Sequence, residues 1–226
     1  MIGFLRRARG HARTLVLLPG WATDSRIFAR LDLPYNYLEP NGFTPLPDPD
    51  DLRRVIDKHA GGKATVLGFS LGGFLAAAFA RAYPDRVDGL FLLGVRQQYP
   101  PAELAGVRQA LARDPRAFLE YFYRRALPAD DDAGTAWFAE RLLDDYLGRA
   151  GDRALPAGLD ALAAQRLDAA MLAQLPDVRL LHGGRDQIAP LAEAQALASP
   201  AVPCTVVPSC GHLLPLHPAL PGLLHA

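Results

Sequence analysis

Residues 67–74 read LGFSLGGF, and they stand where a strand pattern, ATVLG, gives way to a helix pattern, LGGFLAAAFARAYP. G-x-S-x-G at such a junction is typical of a nucleophile elbow, a sharp turn that presents a serine hydroxyl above a sheet. In this turn the strand and the helix approach so closely that side chains at Gly68 and Gly72 would collide, and Gly73 extends the clearance. Ser70 is therefore the candidate nucleophile. A helix start with chance glycines would give the same letters, so the rest of the chain must supply its partners.

A serine hydroxyl is a poor nucleophile without a base, and elbow enzymes carry the carboxylate and the histidine later in the chain, in the order Ser, Asp, His. Asp186 directly follows a strand pattern in LLHGGRDQIAP, and His212 follows another in VVPSCGHLLPLHP. Both positions fall at the carboxyl ends of predicted strands, which share one edge of a parallel sheet with Ser70. His217 lies further into the terminal helical region, and Asp177 precedes its strand, so both fit this order less well.

Strand patterns alternate with helix patterns, which indicates an α/β protein with a mostly parallel sheet and helices on both faces. The strand patterns are TLVLL (14–18), YNYLEP (35–40), ATVLG (64–68), VDGLFLLG (87–94), VRLLHG (178–183) and PCTVVP (203–208). Residues 96–172 show helix patterns and no clear strand. We therefore expect a core made of 1–95 and 173–226, and a helical lid, 96–172, inserted after the fourth recognisable strand.

Composition narrows the function further. The 24 Lys and Arg residues balance the 24 Asp and Glu residues, so no overall charge favours nucleic acid or a membrane surface. The two cysteines, Cys204 and Cys210, are too few for a disulfide framework and indicate a reducing compartment. The apolar stretch near the N-terminus, about five residues, is too short for a signal sequence or a membrane span. We expect a cytoplasmic monomer.

Motifs for bound groups are missing from the sequence. It has no G-x-x-x-x-G-K phosphate loop and no G-x-G-x-x-G dinucleotide fingerprint. Its Cys and His residues do not fall at zinc-ligand spacing. We therefore expect neither a cofactor nor a metal ion.

The loop after the first predicted strand reads LLPGWATDS. It falls where the second backbone N–H of an oxyanion hole is expected, and Trp21 is the residue placed there. The first N–H is that of Leu71, at the start of the helix after the serine. The Trp21 side chain could also be a half-buried aromatic, a role compatible with the N–H.

Over nearly its whole length the chain resembles the α/β-hydrolases, through LVLLPGW, LGFSLGGFLAAAFARAYPDRVDGLFLLG, LLHGGRDQIAP and CGHLLPLHP. In closer detail it is similar to the pimeloyl-acyl-carrier-protein methyl ester esterases of biotin synthesis. Those enzymes share the Trp of the first loop, a Ser-Leu-Gly-Gly elbow and a His-Pro shortly after the final Gly-His or Ala-His. This chain departs from the wider pattern at Pro19-Gly20, where His-Gly is usual, and in lacking a D-x-x-G-x-G-x-S stretch.

The resemblance implies a carboxylesterase that works through an acyl-enzyme without a cofactor. Ser70 would be the nucleophile, His212 the general base and Asp186 the acid that orients it. Leu71 and Trp21 would supply the oxyanion N–H groups. The implied substrate is pimeloyl-acyl-carrier-protein methyl ester.

The lid would determine specificity. Phe118 and Phe122 share a helix face and, with Trp21 and Leu213, are the candidate substrate contacts, although each could simply pack the lid onto the core. Four arginines cluster in the same block: Arg113, Arg116, Arg124 and Arg125. In the resembled enzymes such arginines dock the acidic acyl carrier protein, which is the implied partner here. A solvated helix face is the alternative.

Two other functions fit the same residues. A general short-chain carboxylesterase or thioesterase would need no carrier protein. A non-catalytic ligand-binding protein of the same fold could retain all three of Ser70, Asp186 and His212.

Overall fold

The computed structural model describes residues 2–127 and 133–225. Seven strands form one sheet in the order β1-β3-β2-β4-β5-β6-β7. The strands are β1 (Phe4–Arg7), β2 (Thr14–Leu18), β3 (Asn36–Pro40), β4 (Ala64–Phe69), β5 (Val87–Leu93), β6 (Val178–Gly183) and β7 (Cys204–Val207). From β3 to β7 every neighbouring pair is parallel, whereas β1 pairs antiparallel with β3. The predicted α/β fold with a mostly parallel sheet is confirmed.

The central strands are continuous apolar runs because helices cover both faces of a parallel sheet. Every residue of β2 and of β4 is buried. The edge strand β1, with the sequence FLRR, was not predicted, since two arginines mask its pattern and Leu5 is 53% exposed. Charged residues are common on edge strands, and Arg7 here pairs with Glu39 of β3.

Four helices belong to the sheet layers: α1 (Pro49–His59), α2 (Leu71–Ala82), α9 (Leu191–Leu197) and α10 (Leu220–His225). At the start of helix α1 the Asp48 side chain accepts the Asp51 N–H at 2.7 Å, and Pro49 occupies the first turn, two features that favour a helix start at this point. None of the helices in the described residues has the length and apolar character that a bilayer crossing requires.

The chain between β5 and β6 is helical wherever it forms regular structure in the described residues. Its helices are α3 (Pro101–Arg113), α4 (Pro115–Ala126), α5 (Ala133–Phe138), a π-helical turn (Ala139–Leu143), α6 (Asp144–Leu147), α7 (Ala154–Ala164) and α8 (Ala169–Leu172). We refer to α3–α8 as the inserted helices. The pattern over 159–175 suggests one helix but is broken between α7 and α8, because the Leu167 N–H pairs with the Gln97 carbonyl at 2.8 Å.

Buried hydrogen bonds fasten the inserted helices to the loop after β2. The Trp21 indole N–H donates to the Leu155 carbonyl oxygen at 2.9 Å, and the Tyr123 hydroxyl donates to the Ala22 carbonyl oxygen at 2.6 Å. Both contacts join the carboxyl edge of the sheet to the helices above it. A cavity is therefore enclosed between the strand ends and the inserted helices.

Candidate active site

Ser70 occupies the sharp turn between β4 and α2. Its backbone has φ of +53° and ψ of −117°, a conformation that residues other than glycine seldom adopt. The Ser70 N–H donates to the Leu93 carbonyl oxygen at 2.8 Å, which holds the turn against the end of β5. This strained turn lifts the hydroxyl above the carboxyl edge of the sheet.

The glycines around Ser70 are required because neighbouring atoms leave no space for a side chain. A Cβ at Gly68 would lie 2.3 Å from the Gly72 carbonyl oxygen, and a Cβ at Gly72 would lie 2.1 Å from the Leu18 carbonyl oxygen. At Gly73 it would lie 2.4 Å from Val95 Cγ1. A side chain at any of these three positions would therefore collide with a neighbour, as expected from the sequence.

Three strand ends bring Ser70, Asp186 and His212 into one line of hydrogen bonds. His212 Nε2 lies 3.0 Å from Ser70 Oγ, and His212 Nδ1 lies 2.7 Å from Asp186 Oδ2. The other carboxylate oxygen of Asp186 accepts the N–H groups of Ile188 and Ala189, both at 2.8 Å. All three side chains are buried. The structure thus brings together the three residues predicted from the sequence.

The charge on Asp186 is set by two opposing effects. Burial raises the pKa of its carboxyl, but the charge and hydrogen bond of His212, together with the Ala189 N–H, outweigh burial and hold the pKa below its ordinary value. An ionised carboxylate can only accept a hydrogen bond, so Asp186 holds the proton of the His212 ring on Nδ1. It therefore favours the imidazole tautomer whose bare Nε2 faces the Ser70 hydroxyl.

Two residues that sequence reasoning missed support this line. Gly94 has φ of +58°, and a Cβ there would lie 3.3 Å from the His212 ring, so a side chain at this position would press on the imidazole. His182 is fully buried at the end of β6, where its Nε2 lies 2.8 Å from the Ala189 carbonyl oxygen and 3.5 Å from Asp186 Oδ2. A glycine directly after a strand was the one available signal for Gly94.

The two predicted oxyanion donors flank Ser70. Leu71 is the first residue of α2, and N–H groups of a first turn have no acceptor within their helix. Trp21 follows Gly20, where a Cβ would lie 3.1 Å from the Ser70 Cβ, so the loop after β2 passes directly against the serine. Both backbone segments are therefore adjacent to the hydroxyl.

A cavity of about 550 Å³ opens beside Ser70 under the inserted helices. Its wall includes Trp21, Phe118 and Phe122, and the Trp21 ring contacts Phe122 edge-on with centroids 5.1 Å apart. Leu213, also predicted to contact substrate, is not among the lining residues. It is buried, and its N–H donates to the Ala126 carbonyl oxygen at 3.1 Å.

The predicted arginine cluster divides into two groups. Arg113, Arg116 and Arg124 are exposed on α3 and α4. Arg125 is partly buried in the cavity wall, where it donates to the Gln187 carbonyl oxygen at 2.8 Å and to the Tyr121 hydroxyl at 3.3 Å. Arg125 therefore links α4 to the loop that carries Asp186.

The arrangement is suited to acyl transfer, since a hydroxyl, a base and an orienting carboxylate share hydrogen bonds beside a cavity. No group of three His, Cys, Asp or Glu side chains within residues 2–127 and 133–225 is placed to hold a metal ion.

Fold and site together are those of a serine hydrolase. Residues 37–217 match the model of the alpha/beta hydrolase fold family, and the chain belongs to that family. Solved structures agree in fold at low sequence identity. The enol-lactonase from Burkholderia xenovorans LB400 superposes with a TM-score of 0.80 at 15% identity, covering 99% of this chain and 95% of that one. A thermophilic esterase from Thermogutta terrifontis has a TM-score of 0.78 at 22% identity, covering 99% and 91%.

Three similar proteins are each called pimeloyl-[acyl-carrier protein] methyl ester esterase. The one from Xylella fastidiosa (strain M23) is 30% identical over 213 residues, 83% of this chain and 81% of that protein. The one from Neisseria meningitidis serogroup C is 32% identical over 205 residues, which are 79% of this chain and 77% of that protein. The one from Aromatoleum aromaticum is 28% identical over 225 residues, which are 88% of this chain and 90% of that protein. The resemblance inferred from the motifs is confirmed.

Proposed function

We propose that this protein is a serine carboxylesterase of biotin synthesis that hydrolyses pimeloyl-acyl-carrier-protein methyl ester. The observation that carries the chemistry is the hydrogen-bonded line from Ser70 Oγ through His212 to Asp186, at the wall of a cavity. The substrate follows from the esterases to which the chain is similar over most of its length. We further propose that it acts as a monomer in the cytoplasm.

Acylation begins at Ser70. Its Oγ attacks the ester carbonyl carbon while His212 Nε2 takes the hydroxyl proton, and the carbonyl electron pair moves onto oxygen. The backbone N–H groups of Leu71 and Trp21 bind that oxyanion, a contribution of about 3–4 kcal/mol for each such donor. The intermediate then collapses, and the departing methoxy oxygen takes the proton from His212 and leaves as methanol.

Deacylation repeats the sequence with water. His212 removes a proton from a water molecule that attacks the acyl-serine, and returns a proton to Ser70 Oγ as the carboxylic acid leaves. Asp186 remains ionised throughout, because His212 and the Ala189 N–H lower the pKa of its carboxyl more than burial raises it. It orients the imidazole and stabilises the transient imidazolium.

The inserted helices, which we assign as the lid, would hold the rest of the substrate. Trp21, Phe118 and Phe122 present an apolar wall to the acyl chain. Three exposed arginines of α3 and α4 would bind an acidic carrier protein through their charge: Arg113, Arg116 and Arg124. Arg125, by contrast, lies in the cavity wall and is bound to Gln187 and Tyr121.

The test measures hydrolysis of pimeloyl-acyl-carrier-protein methyl ester beside a chain-length panel of p-nitrophenyl esters. The wild type and Ser70→Ala are compared, with circular dichroism to show that both are folded. We expect fast cleavage of the carrier-linked ester by the wild type and none by the variant. A fluorophosphonate probe that fails to label the folded wild type would exclude the serine mechanism and favour a ligand-binding protein.

The second candidate is an esterase that needs no carrier protein. One observation favours this candidate. Arg125, one of the four predicted docking residues, already donates hydrogen bonds to Gln187 and Tyr121 within the chain, so it is not free to bind a carrier protein. Activity confined to short free esters in the same panel would select this candidate.

A further inference from the structure

His182 is a buried side chain that the mechanism above does not use. It lies near the end of β6, and its side chain is shielded from solvent. Its Nε2 lies 2.8 Å from the Ala189 carbonyl oxygen. A carbonyl oxygen can only accept a hydrogen bond, so Nε2 carries the ring proton and donates it to Ala189.

Ala189 connects His182 to the carboxylate of the candidate active site. The Ala189 N–H donates to one carboxylate oxygen of Asp186 at 2.8 Å, and the Ala189 carbonyl oxygen accepts from His182. The other carboxylate oxygen of Asp186 lies 2.7 Å from His212 Nδ1 and 3.5 Å from His182 Nε2. Ala189 is thus held at both of its backbone polar groups. These contacts fix the turn from which Asp186 reaches His212.

Packing alone does not account for a histidine at this position. Leu180 and Leu181, which precede it in β6, are buried and apolar. The second ring nitrogen of His182, Nδ1, is buried and has no hydrogen-bond partner within the described part of the chain. An unpaired buried acceptor lowers stability, and an apolar side chain of similar size would avoid that cost. What the histidine adds is therefore its Nε2 contact with the Asp186 turn.

The ring supplies this N–H without adding a positive charge. Burial lowers the pKa of the His182 imidazole, and the negative charge of Asp186 only partly offsets that effect. The ring is therefore uncharged at neutral pH. A protonated ring in this place would compete with His212 for the charge of Asp186, whereas a neutral ring holds the turn and leaves that charge to His212.

We propose that His182 is a positioning residue for the esterase reaction, and that its Nε2–H, bound to the Ala189 carbonyl oxygen, holds the turn from which Asp186 orients His212. This role rests on the proposed serine mechanism. No bond to His182 forms or breaks during acylation or deacylation, and the ring keeps its proton throughout. Without this hydrogen bond the Asp186 turn would loosen, and the imidazole would less often present its bare Nε2 to Ser70.

The experiment uses His182→Gln and His182→Leu, each made in the wild type and in Asp186→Asn. Glutamine has a donor that can reach the position of Nε2, whereas leucine has a similar volume and no donor. For every variant we measure the melting temperature, together with kcat and KM for the ester of the panel above that the wild type cleaves fastest. Ile56→Val, a buried change in α1 outside the cavity wall, is the control for a loss of stability alone.

We expect His182→Leu to lower kcat by about tenfold, near the upper value of one hydrogen bond, with KM within about twofold. His182→Gln and Ile56→Val should retain kcat within about threefold of the wild type, because both keep a donor at the Ala189 carbonyl oxygen. In Asp186→Asn, the leucine change should lower kcat by less than about twofold, since the residue through which His182 acts is already replaced.

A wild-type kcat in His182→Leu would overturn the role of His182 and leave the proposed function standing. A loss that persists in Asp186→Asn, or that glutamine does not restore, would also overturn it, because such a loss indicates packing. If leucine prevents folding, His182→Asn answers the same question, since its shorter amide cannot reach the position of Nε2. A folded wild type that cleaves no ester of the panel would reject the proposed function and the role of His182 together.

Discussion

A Cβ atom at Gly72 would lie 2.1 Å from the carbonyl oxygen of Leu18, in the strand next to the one that carries the elbow. Both groups are backbone and buried, so neither can move aside without shifting β2 or α2. The G-x-S-x-G pattern is thus a packing requirement of two neighbouring strands and a helix as well as a feature of the turn.

Gly72→Ala should therefore be severely destabilising. We expect the free energy of unfolding to fall by more than about 3 kcal/mol, the range of serious overpacking. The matched control is Gly106→Ala within α3, where a Cβ would meet nothing within 4 Å. There alanine should raise stability by about 0.5–1 kcal/mol, because glycine is costly inside a helix. Urea denaturation measures both, and equal effects would refute the packing argument.

Asp186→Asn should abolish most catalysis without displacing the histidine. An amide can donate its N–H to His212 Nδ1 and so favour the tautomer with a proton facing Ser70, which cannot act as a base. We expect kcat for a p-nitrophenyl ester to fall by about 10⁴-fold, with KM little changed. A variant that retains more than about a tenth of wild-type kcat would remove Asp186 from the mechanism.

Stability at acid pH should also depend on Asp186. Its folded-state pKa lies below the ordinary value of 3.8, because His212 and the Ala189 N–H offset the effect of burial. Its contribution is therefore fully present above 3.8 and is lost as the pH falls through the folded pKa. We expect the free energy of unfolding to fall less steeply below pH 3.8 for Asp186→Asn than for the wild type. Parallel curves from urea titrations would contradict this linkage.

Leu159 separates the cavity beside Ser70 from a second cavity of about 470 Å³, and it lines both. Leu159→Ala should join them and shift the preferred p-nitrophenyl ester toward longer acyl chains. Leu162→Ala is the control, since Leu162 lines the first cavity and not the second. Both changes should cost about 2–5 kcal/mol of stability, so activities are compared at a temperature where both variants are folded. An identical chain-length profile for the two would exclude a joined cavity.

Carrier docking should depend on the exposed arginines of α3 and α4, and not simply on the total number of arginines in the chain. Changing both Arg116 and Arg124 to Glu should raise KM for the carrier-linked ester by about tenfold or more and leave the rate on a free methyl ester unchanged. Arg81→Glu, an exposed change on α2 outside the cavity wall, should affect neither substrate. A constant ratio of carrier-linked to free-ester rates in the double variant would remove the docking surface from the proposal.

The local sequence was sufficient to predict those features that residues adjacent in the chain determine. The strands β2 and β6 are found at the predicted residues, because a strand covered on both faces must be a continuous apolar run. Ser70 was identified because the glycines that clear its turn are adjacent to it. Asp186 and His212 were identified because each directly follows a strand, and parallel strands place their carboxyl ends along one edge.

What the sequence could not supply were contacts between distant segments. The edge strand β1 was missed because it is held by pairing with β3 and carries two arginines. Leu213 was expected at the substrate, but its N–H pairs with Ala126 and its side chain lies outside the cavity wall. Arg125 has the same local sequence setting as Arg124, yet it is bound to Gln187, 62 residues away.

The sequence by itself therefore determined the fold class and the three residues of the hydrogen-bonded line. Those follow from short-range rules of hydrophobic pattern, turn sterics and strand polarity. Only the tertiary structure decided which side chains surround that line, such as His182 beside Asp186 and Arg96 between Glu103 and Glu193. The physical reason is that these neighbours are selected by how the inserted helices pack on the sheet edge, and that packing joins residues whose separation along the chain carries no local signal.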